Sequence, residues 1–439
     1  MAVPESARPL DPPAGVRRPA VPITPESVVR RPFGAGAVAL IRENHANPSV
    51  TIRGYLDAGA RHDPTGRDGL ALFAASMLTR GTAAYTSERL ALTLDSLGAS
   101  LSVGADIEGA AFSVRCLAED VARLLELVAE VLVRPTFPAG EVEKQRAKII
   151  TGIREDRHDT RAAAEKAFRA AAYPAAHPHS RTAHGEEESV AAISRDDLVA
   201  FHRQRYRPDR SVIAVVGDVA APRILERLES VLEGWAGTAP AESAAVPVAS
   251  PGASVQRRTV TLPGKTQADI VLGVPGFSRT SPDYYAGMMA DLILGRLGLM
   301  GRLGGSLRDR EGLAYYVYSQ AQAGFLPGPW AVRAGVNPKN VDRAIQGILR
   351  EVEGLEREPV RDTELPDAQD YLTGSLAIRL ETDGGIAQAL LEIELFSLGL
   401  DYLLRYPAFI RAITPEAIGA AARRYFTLGG YTVATAVPA

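Results

Sequence analysis

The segment "DGLALFAASMLTRGT" (residues 68–82) decides how this chain is read. Leu70, Phe73, Ala74, Met77 and Leu78 recur at helical spacing, which predicts an amphipathic helix with one face in a core. Asp68 is placed to cap its start, and Gly81-Thr82 to stop it. The opposite face decides whether the helix carries chemistry. A catalytic metal helix presents ligands one turn apart there, and this one offers Leu72, Ala75 and Ser76.

Working outward, the segments on either side of "WAGTAPAESAAVPVASPGASVQRR" (235–258) follow one order of elements, which points to an internal duplication. The first half opens with strand-like "AVALIREN" and "SVTIRGYLDAG" before the helix at Asp68. The second opens with "RRTVTLPG" and "ADIVLGVPG" before a helix through "YYAGMMADLILGRL". A strand pair and an apolar-striped helix follow in each: "ASLSVGADIEGAAFSVRCL" with "EDVARLLELVAEVLVRP", and "LAYYVYSQAQAGFLPGPWAVRAGV" with "NVDRAIQGILREVEGLE". Each half closes on a strand after an Arg-Tyr pair, "RYRPDRSVIAVVGDV" and "RYFTLGGYTVATAVP". Hairpin-joined strands with helices gathered between them predict an α+β fold of two tandem sandwich domains. The expected divisions are an irregular Pro-rich arm over 1–30, domains over 31–235 and 257–439, and an Ala/Pro/Ser-rich linker over 236–256.

Composition narrows the function. At 439 residues the chain exceeds one ordinary core, and a net charge of -3 gives no electrostatic footprint for nucleic acid or an anionic membrane. Only five lysines accompany the many arginines, and no basic block forms. A single cysteine, Cys116, excludes an intrachain disulfide framework and a cysteine-based zinc knuckle. It sits in the alternating run "AAFSVRCLA" and reads as a buried structural thiol. The N-terminal residues have no apolar core of signal-peptide length, and no stretch approaches a transmembrane span, so a cytoplasmic protein is expected.

Three constellations have chemical potential. "HPHSRTAHGEEE" (177–188) holds His177, His179, His184 and Glu186, donor types that bind zinc when converged, but its Pro and Gly breaks read as a solvated surface loop. The remaining histidines, His45, His62, His158 and His202, are scattered. "LGRLGLMGRLGGSLRDREG" (294–312) is glycine-rich and basic, yet lacks both the Gly-Lys-Ser/Thr ending of a phosphate loop and the dinucleotide fingerprint. Its glycines over 295–305 read either as a turn before a short helix or as a mobile loop over a cleft. In "SLRDREGLAYYVYSQA" (306–321) a short polar helix ends at Gly312, and the strand that follows puts Tyr315 and Val317 on one face. Arg308 and Tyr315 then flank a helix-to-strand corner, where a guanidinium and a phenol can grip a carbonyl or developing oxyanion.

These residues resemble the pitrilysin/insulinase metallopeptidases, which include the mitochondrial processing peptidases, over roughly residues 30 to 439. Catalytic members carry a helix like "GLAHFLEHMLFKGT" in the frame of Gly69–Thr82. Its inverted motif H-x-x-E-H places two zinc-binding His one turn apart with a Glu as general base. Leu72, Ala75 and Ser76 occupy those three positions. The family's third ligand, a Glu in a helix like "ERGVVLEEIR", falls near Thr151 and Gly152 in "KQRAKIITGIRED". The family's second-half pair, in segments like "LRTKEQLGY", matches Arg308 and Tyr315 with the same spacing.

The resemblance implies half of a clamshell whose own zinc site is absent: no metal and no cofactor in this chain. The zinc is expected in a partner, an H-x-x-E-H-bearing homologous subunit, with an unstructured peptide as substrate. This chain would bind peptide as an added strand and direct Arg308 and Tyr315 at the partner's site. The competing expectation is a non-proteolytic scaffold or peptide-binding subunit of a larger complex.

Overall fold

The computed structural model describes residues 23–236 and 246–439, except 359 and 362. Six strands form the first sheet: β1 (Val29–Phe33), β2 (Ala37–Glu43), β3 (Ser49–Leu56), β4 (Ser100–Ala105), β5 (Ala110–Leu117) and β6 (Ser211–Gly217). Five form the second: β7 (Gln256–Leu262), β8 (Ala268–Pro275), β9 (Ala314–Ala323), β10 (Pro327–Val336) and β11 (Thr432–Pro438). The spatial orders are β1-β2-β6-β3-β5-β4 and β7-β11-β8-β10-β9. Removing β1 superposes the two orders term by term, and in both the closing strand runs parallel to the opening one, β6 with β2 and β11 with β7. The duplication read in the sequence is therefore a duplication of topology. Of the arm expected over 1–30, residues 1–22 lie outside the described part, and the chain enters β1 at Val29. Within the linker expected over 236–256, residues 237–245 are likewise outside it.

β6 is buried along its whole length, which its sequence, Ser-Val-Ile-Ala-Val-Val-Gly, already suits. Ile213 and Val215 point into the first-half core with the helices Leu70–Met77 and Val121–Val133. Val212, Ala214 and Val216 point the other way and meet Ile386, Leu390, Leu391 and Ile393. Those residues belong to the helix Asp383–Leu395, which comes from the second half. The exchange is reciprocal. The first-half helix Thr160–Ala172 lies across β7, β11 and β8, where Ala164 and Phe168 pack on Val271, Ala331, Ala434 and Ala436. Each sheet is thus a central layer with its own helices on one face and a borrowed helix on the other.

Polar contacts fix both borrowed helices. Glu165 receives Arg333 of β10 (Nε to Oε2, 2.9 Å) and Arg169 one turn along its own helix (2.9 Å). Burial works against the charged carboxyl, but the two guanidiniums outweigh it and hold Glu165 below the usual carboxylate range. Thr160 donates to the buried Asp269 of β8 at 2.5 Å, and Arg161 stacks over Tyr316 of β9 with its carbon 4.4 Å from the ring centre. On the other sheet Asn44 donates to Asp383 at 2.6 Å and Arg53 to Gln388 at 3.0 Å.

Removing Glu165 leaves Arg333, which is 5% exposed, as an uncompensated buried cation. Glu165→Ala is expected to lose about 3–5 kcal/mol of stability in denaturant unfolding. A loss within the range of a surface substitution, about 0.5 kcal/mol, would show that the borrowed helix is held by apolar packing alone.

Candidate functional site

The helix at the decisive segment runs from Leu70 to Met77, and its expected apolar positions are buried. Its start differs from expectation. The cap is Asp63, whose two carboxylate oxygens accept from the Gly69 and Ala71 backbone N–H groups at 2.8 Å each. Asp68 instead pairs with Arg181 at 3.0 Å. Gly69 takes φ +97°, and a Cβ there would come within 2.6 Å of the His184 carbonyl, so glycine is required by both backbone and neighbour. Burial pushes the Asp63 carboxyl up to about 7, against the two hydrogen bonds that favour its charge. The helix also ends at Met77, short of Gly81-Thr82, and Thr82 forms an isolated bridge with Pro135.

On the other face Leu72 and Ser76 are half-buried and Ala75 is buried. Ser76 Oγ donates to the Phe73 carbonyl at 2.7 Å, and Thr151 Oγ1 donates to the Ala147 carbonyl at 2.9 Å. The two hydroxyls present are thus turned back onto their own helices, and Leu72, Ala75 and Gly152 supply no ligand atom. Zinc needs anionic or imidazole donors converged on one point, so these residues do not fit the metal that the inverted motif holds.

The histidine-rich segment is placed differently from the solvated loop its breaks suggest. His177 and His179 are 1% and 4% exposed and stacked on each other, with Tyr173 stacked on His177 and tilted against His179. The segment packs against the start of the Leu70–Met77 helix, with Ser189 donating to the Asp68 carbonyl at 2.8 Å. Pro178 opens a single tight turn over Pro178–Ser180 that tucks both rings inward. His184 faces Asp156 at 3.5 Å and Glu186 faces Lys166 at 2.6 Å, away from that pair. Among the described residues no three His, Cys, Asp or Glu groups form a metal-holding cluster. Cys116 is buried on β5, and burial pushes its thiol up to about 11, which suits a structural role.

In the second half, residues 292–310 are packed helical turns rather than a loop. π-helical turns span Leu292–Arg296 and Gly304–Arg310, with Leu303 and Leu307 fully buried. Arg302, also buried, is forked to Glu364 at 2.9 and 2.6 Å, which explains why a basic, glycine-rich stretch packs here. The corner then turns at Gly312 (φ +62°), and the Leu313 N–H returns to the Leu307 carbonyl at 2.8 Å. Pairing of β9 with β10 skips one residue: Ala314 faces Val336 and Tyr316 faces Gly335. Tyr315 is that extra residue, a β-bulge, and it breaks the alternation that put it on the face of Val317. Val317 is 6% exposed and Tyr315 60%. Arg308 is exposed as well, and neither side chain has a hydrogen bond or ion pair with a described residue. β9 is the last strand of its sheet, so the corner carries both residues at the rim of the second sheet.

The described residues thus give a duplicated two-sheet fold, a Leu70–Met77 helix without metal-ligand side chains at Leu72, Ala75 and Ser76, and a helix-to-strand corner with Arg308 and Tyr315 exposed. Residues 38–184 match the insulinase family (peptidase family M16), and 192–372 match the peptidase M16 inactive domain. The chain belongs to this family. It is 25% identical to an uncharacterized zinc protease of Streptomyces coelicolor, over 90% of this chain and 86% of that one. It is also 25% identical to the mitochondrial-processing peptidase subunit beta of Neurospora crassa, over 77% and 72%. A peptidase M16 inactive domain structure from Pseudomonas fluorescens aligns with TM-score 0.86 and 26% identity, covering 94% of this chain and 98% of that one. No helix among the described residues is long and apolar enough to cross a membrane.

Burial and the neighbouring His179 push the His177 imidazole down to about 4, with Glu108 opposing. The folded state therefore keeps His177 neutral where the unfolded chain, at an ordinary value near 6.5, takes up a proton. Its stability contribution is complete above about pH 6.5 and is lost as pH falls toward 4. Between pH 7 and 5 wild type is expected to lose about 1–2 kcal/mol more than His177→Gln in parallel denaturant titrations. Equal losses would place His177 in a site that accommodates its charge.

Proposed function

We propose that this chain is the zinc-less subunit of a two-chain peptidase, binding peptide and directing Arg308 and Tyr315 at the zinc site of an H-x-x-E-H-bearing partner. The observation that carries the reading is the bulge at Tyr315. A strand that continued its alternation would place this phenol differently. The bulge leaves it exposed, and Arg308, which precedes the same corner, is exposed too, with no ion pair to a described residue. The edge of β9 supports the peptide-binding part, since an extended substrate can add to it through backbone hydrogen bonds while the pair addresses its carbonyl. The Neurospora relative, by its name a subunit of a peptidase, supports the two-chain part.

In this reading Arg308 and Tyr315 donate to the substrate carbonyl oxygen as it gains negative charge. Their value lies in being stronger partners of the oxyanion than of the ground-state carbonyl. The scaffold reading has no use for that pair.

Two measurements test the proposal. The purified chain is expected to hold no stoichiometric zinc and to show no peptidase activity by itself, because Leu72, Ser76, Thr151 and Gly152 stand at the ligand positions. One tightly held zinc per chain, or a chelator-sensitive activity of its own, would refute the division of labour. In the reconstituted pair, Arg308→Ala and Tyr315→Phe are each expected to lower turnover about 100- to 1,000-fold with little change in peptide affinity. Near wild-type turnover in the double variant would make the pair structural and favour the scaffold.

A further inference from the structure

A cavity of about 520 Å³ lies among the second-half helices Tyr284–Asp291, Glu364–Arg379, Asp383–Leu395 and Tyr402–Arg411, with the π-helical turn Leu292–Arg296. That size suits a small molecule, and the proposed peptidase role uses none of its residues. Its apolar lining comes from Met288, Leu292, Leu372, Leu376 and Leu403. Tyr371 and Ile378 line it too and are 51% and 67% exposed, so the apolar lining reaches the surface. The polar lining is cationic and phenolic: Arg279, Arg296 and Arg379, with Tyr284, Tyr402 and Tyr406.

Arg279 is 8% exposed, and its guanidinium carbon stands 4.0 Å from the Tyr284 ring centre and 5.6 Å from those of Tyr285 and Tyr402. Nη2 donates to Tyr402 Oη at 2.9 Å, and no carboxylate among the described residues pairs with this cation. Rings and phenols alone balance its buried charge, which a bound anion would complete. No nitrogen of Arg279 is both unbonded and closed off from solvent, so its spare N–H groups are reached through the cavity it lines. The hydroxyls of Tyr284 and Tyr406 have no hydrogen-bond partner among the described residues, and neither is closed off. Burial pushes both phenols up, and Arg279 opposes this at each, joined by Arg296 at Tyr284 and by Arg379 at Tyr406. The three cations therefore converge on this pair of hydroxyls. Arg296 and Arg379 are exposed, and neither has a hydrogen bond or ion pair with a described residue. Against them the lining holds one carboxylate, Glu392, whose Oε1 accepts from Gln388 at 3.3 Å. An excess of positive charge beside an apolar lining selects an anion with an apolar body. Glu392 limits that anion's charge: a phosphate monoester would set two negative charges near it, whereas a carboxylate brings one and matches a guanidinium fork.

We infer that this cavity binds a small apolar monocarboxylate, alkyl or aryl, its carboxylate among Arg279, Arg296, Arg379 and the hydroxyls of Tyr284 and Tyr406, and its hydrocarbon on the leucines. The site shares no residue with the Arg308/Tyr315 corner and does not rest on the peptidase reading.

The test is calorimetric titration of the full chain with octanoate and 3-phenylpropionate, and with octanol, 3-phenylpropanol and octyl phosphate for comparison. At least one of the two carboxylates is expected to bind once per chain at about millimolar concentration or below, and at least about tenfold more tightly than its own alcohol. The double variant Arg296→Ala/Arg379→Ala changes two exposed side chains and leaves the core intact. It should weaken the carboxylate about tenfold and leave the alcohol unchanged. Failure of both carboxylates to bind wild type, an alcohol that binds as tightly as its acid, octyl phosphate that binds more tightly than octanoate, or an unchanged carboxylate affinity in the double variant would overturn the assignment.

Discussion

The Glu165 carboxylate, gripped from two sides by Arg169 and Arg333, is the interaction on which the rest of the molecule depends. It fastens a helix from the first half to the sheet of the second, while Asp383–Leu395 makes the reverse crossing through Asn44 and Arg53. A sheet buried on both faces needs two helical layers, and each half supplies only one for itself. Neither half of this chain is therefore complete alone. The exchange fixes the relative placement of the Leu70–Met77 helix and the Arg308/Tyr315 corner, the two features on which the proposed function rests. Glu165 and Arg169 also line a cavity between the two halves.

The Leu70–Met77 helix carries no metal-ligand side chain at Leu72, Ala75 or Ser76. A single surviving imidazole or carboxylate on the Leu70–Met77 helix would have left a polar group that needed a partner. The structure instead shows hydroxyls returned to helix carbonyls and methyl groups beside them. The second half carries the opposite kind of feature: a bulge that leaves Tyr315 exposed and a corner, closed from Leu307 to Leu313, after an exposed Arg308. Helix without ligands and corner without a local partner together give the two-chain reading its economy.

Much of this was legible in the sequence, for identifiable reasons. The duplication was, because strand alternation and closing Arg-Tyr segments are local signals repeated in order. The continuous apolar run Val212 to Val216 also signals burial on both faces, but periodicity does not say which helix provides the cover, so the exchange was not legible. Asp68 looked like the cap because it is adjacent; Asp63 takes that place because the chain folds back over five residues. His177 and His179 looked solvated because Pro and Gly surround them, although one proline turn buries both. Tyr315 was assigned to a face by strict alternation, and a bulge depends on pairing with β10, which only the fold reveals.

The account stands most directly on the composition of the assembled particle. Native mass spectrometry of this chain, co-expressed with an H-x-x-E-H-bearing homologue from the same genome, should show a one-to-one heterodimer carrying a single zinc. Two zinc ions per heterodimer, or a chain that ignores such homologues and stays with copies of itself, would contradict it.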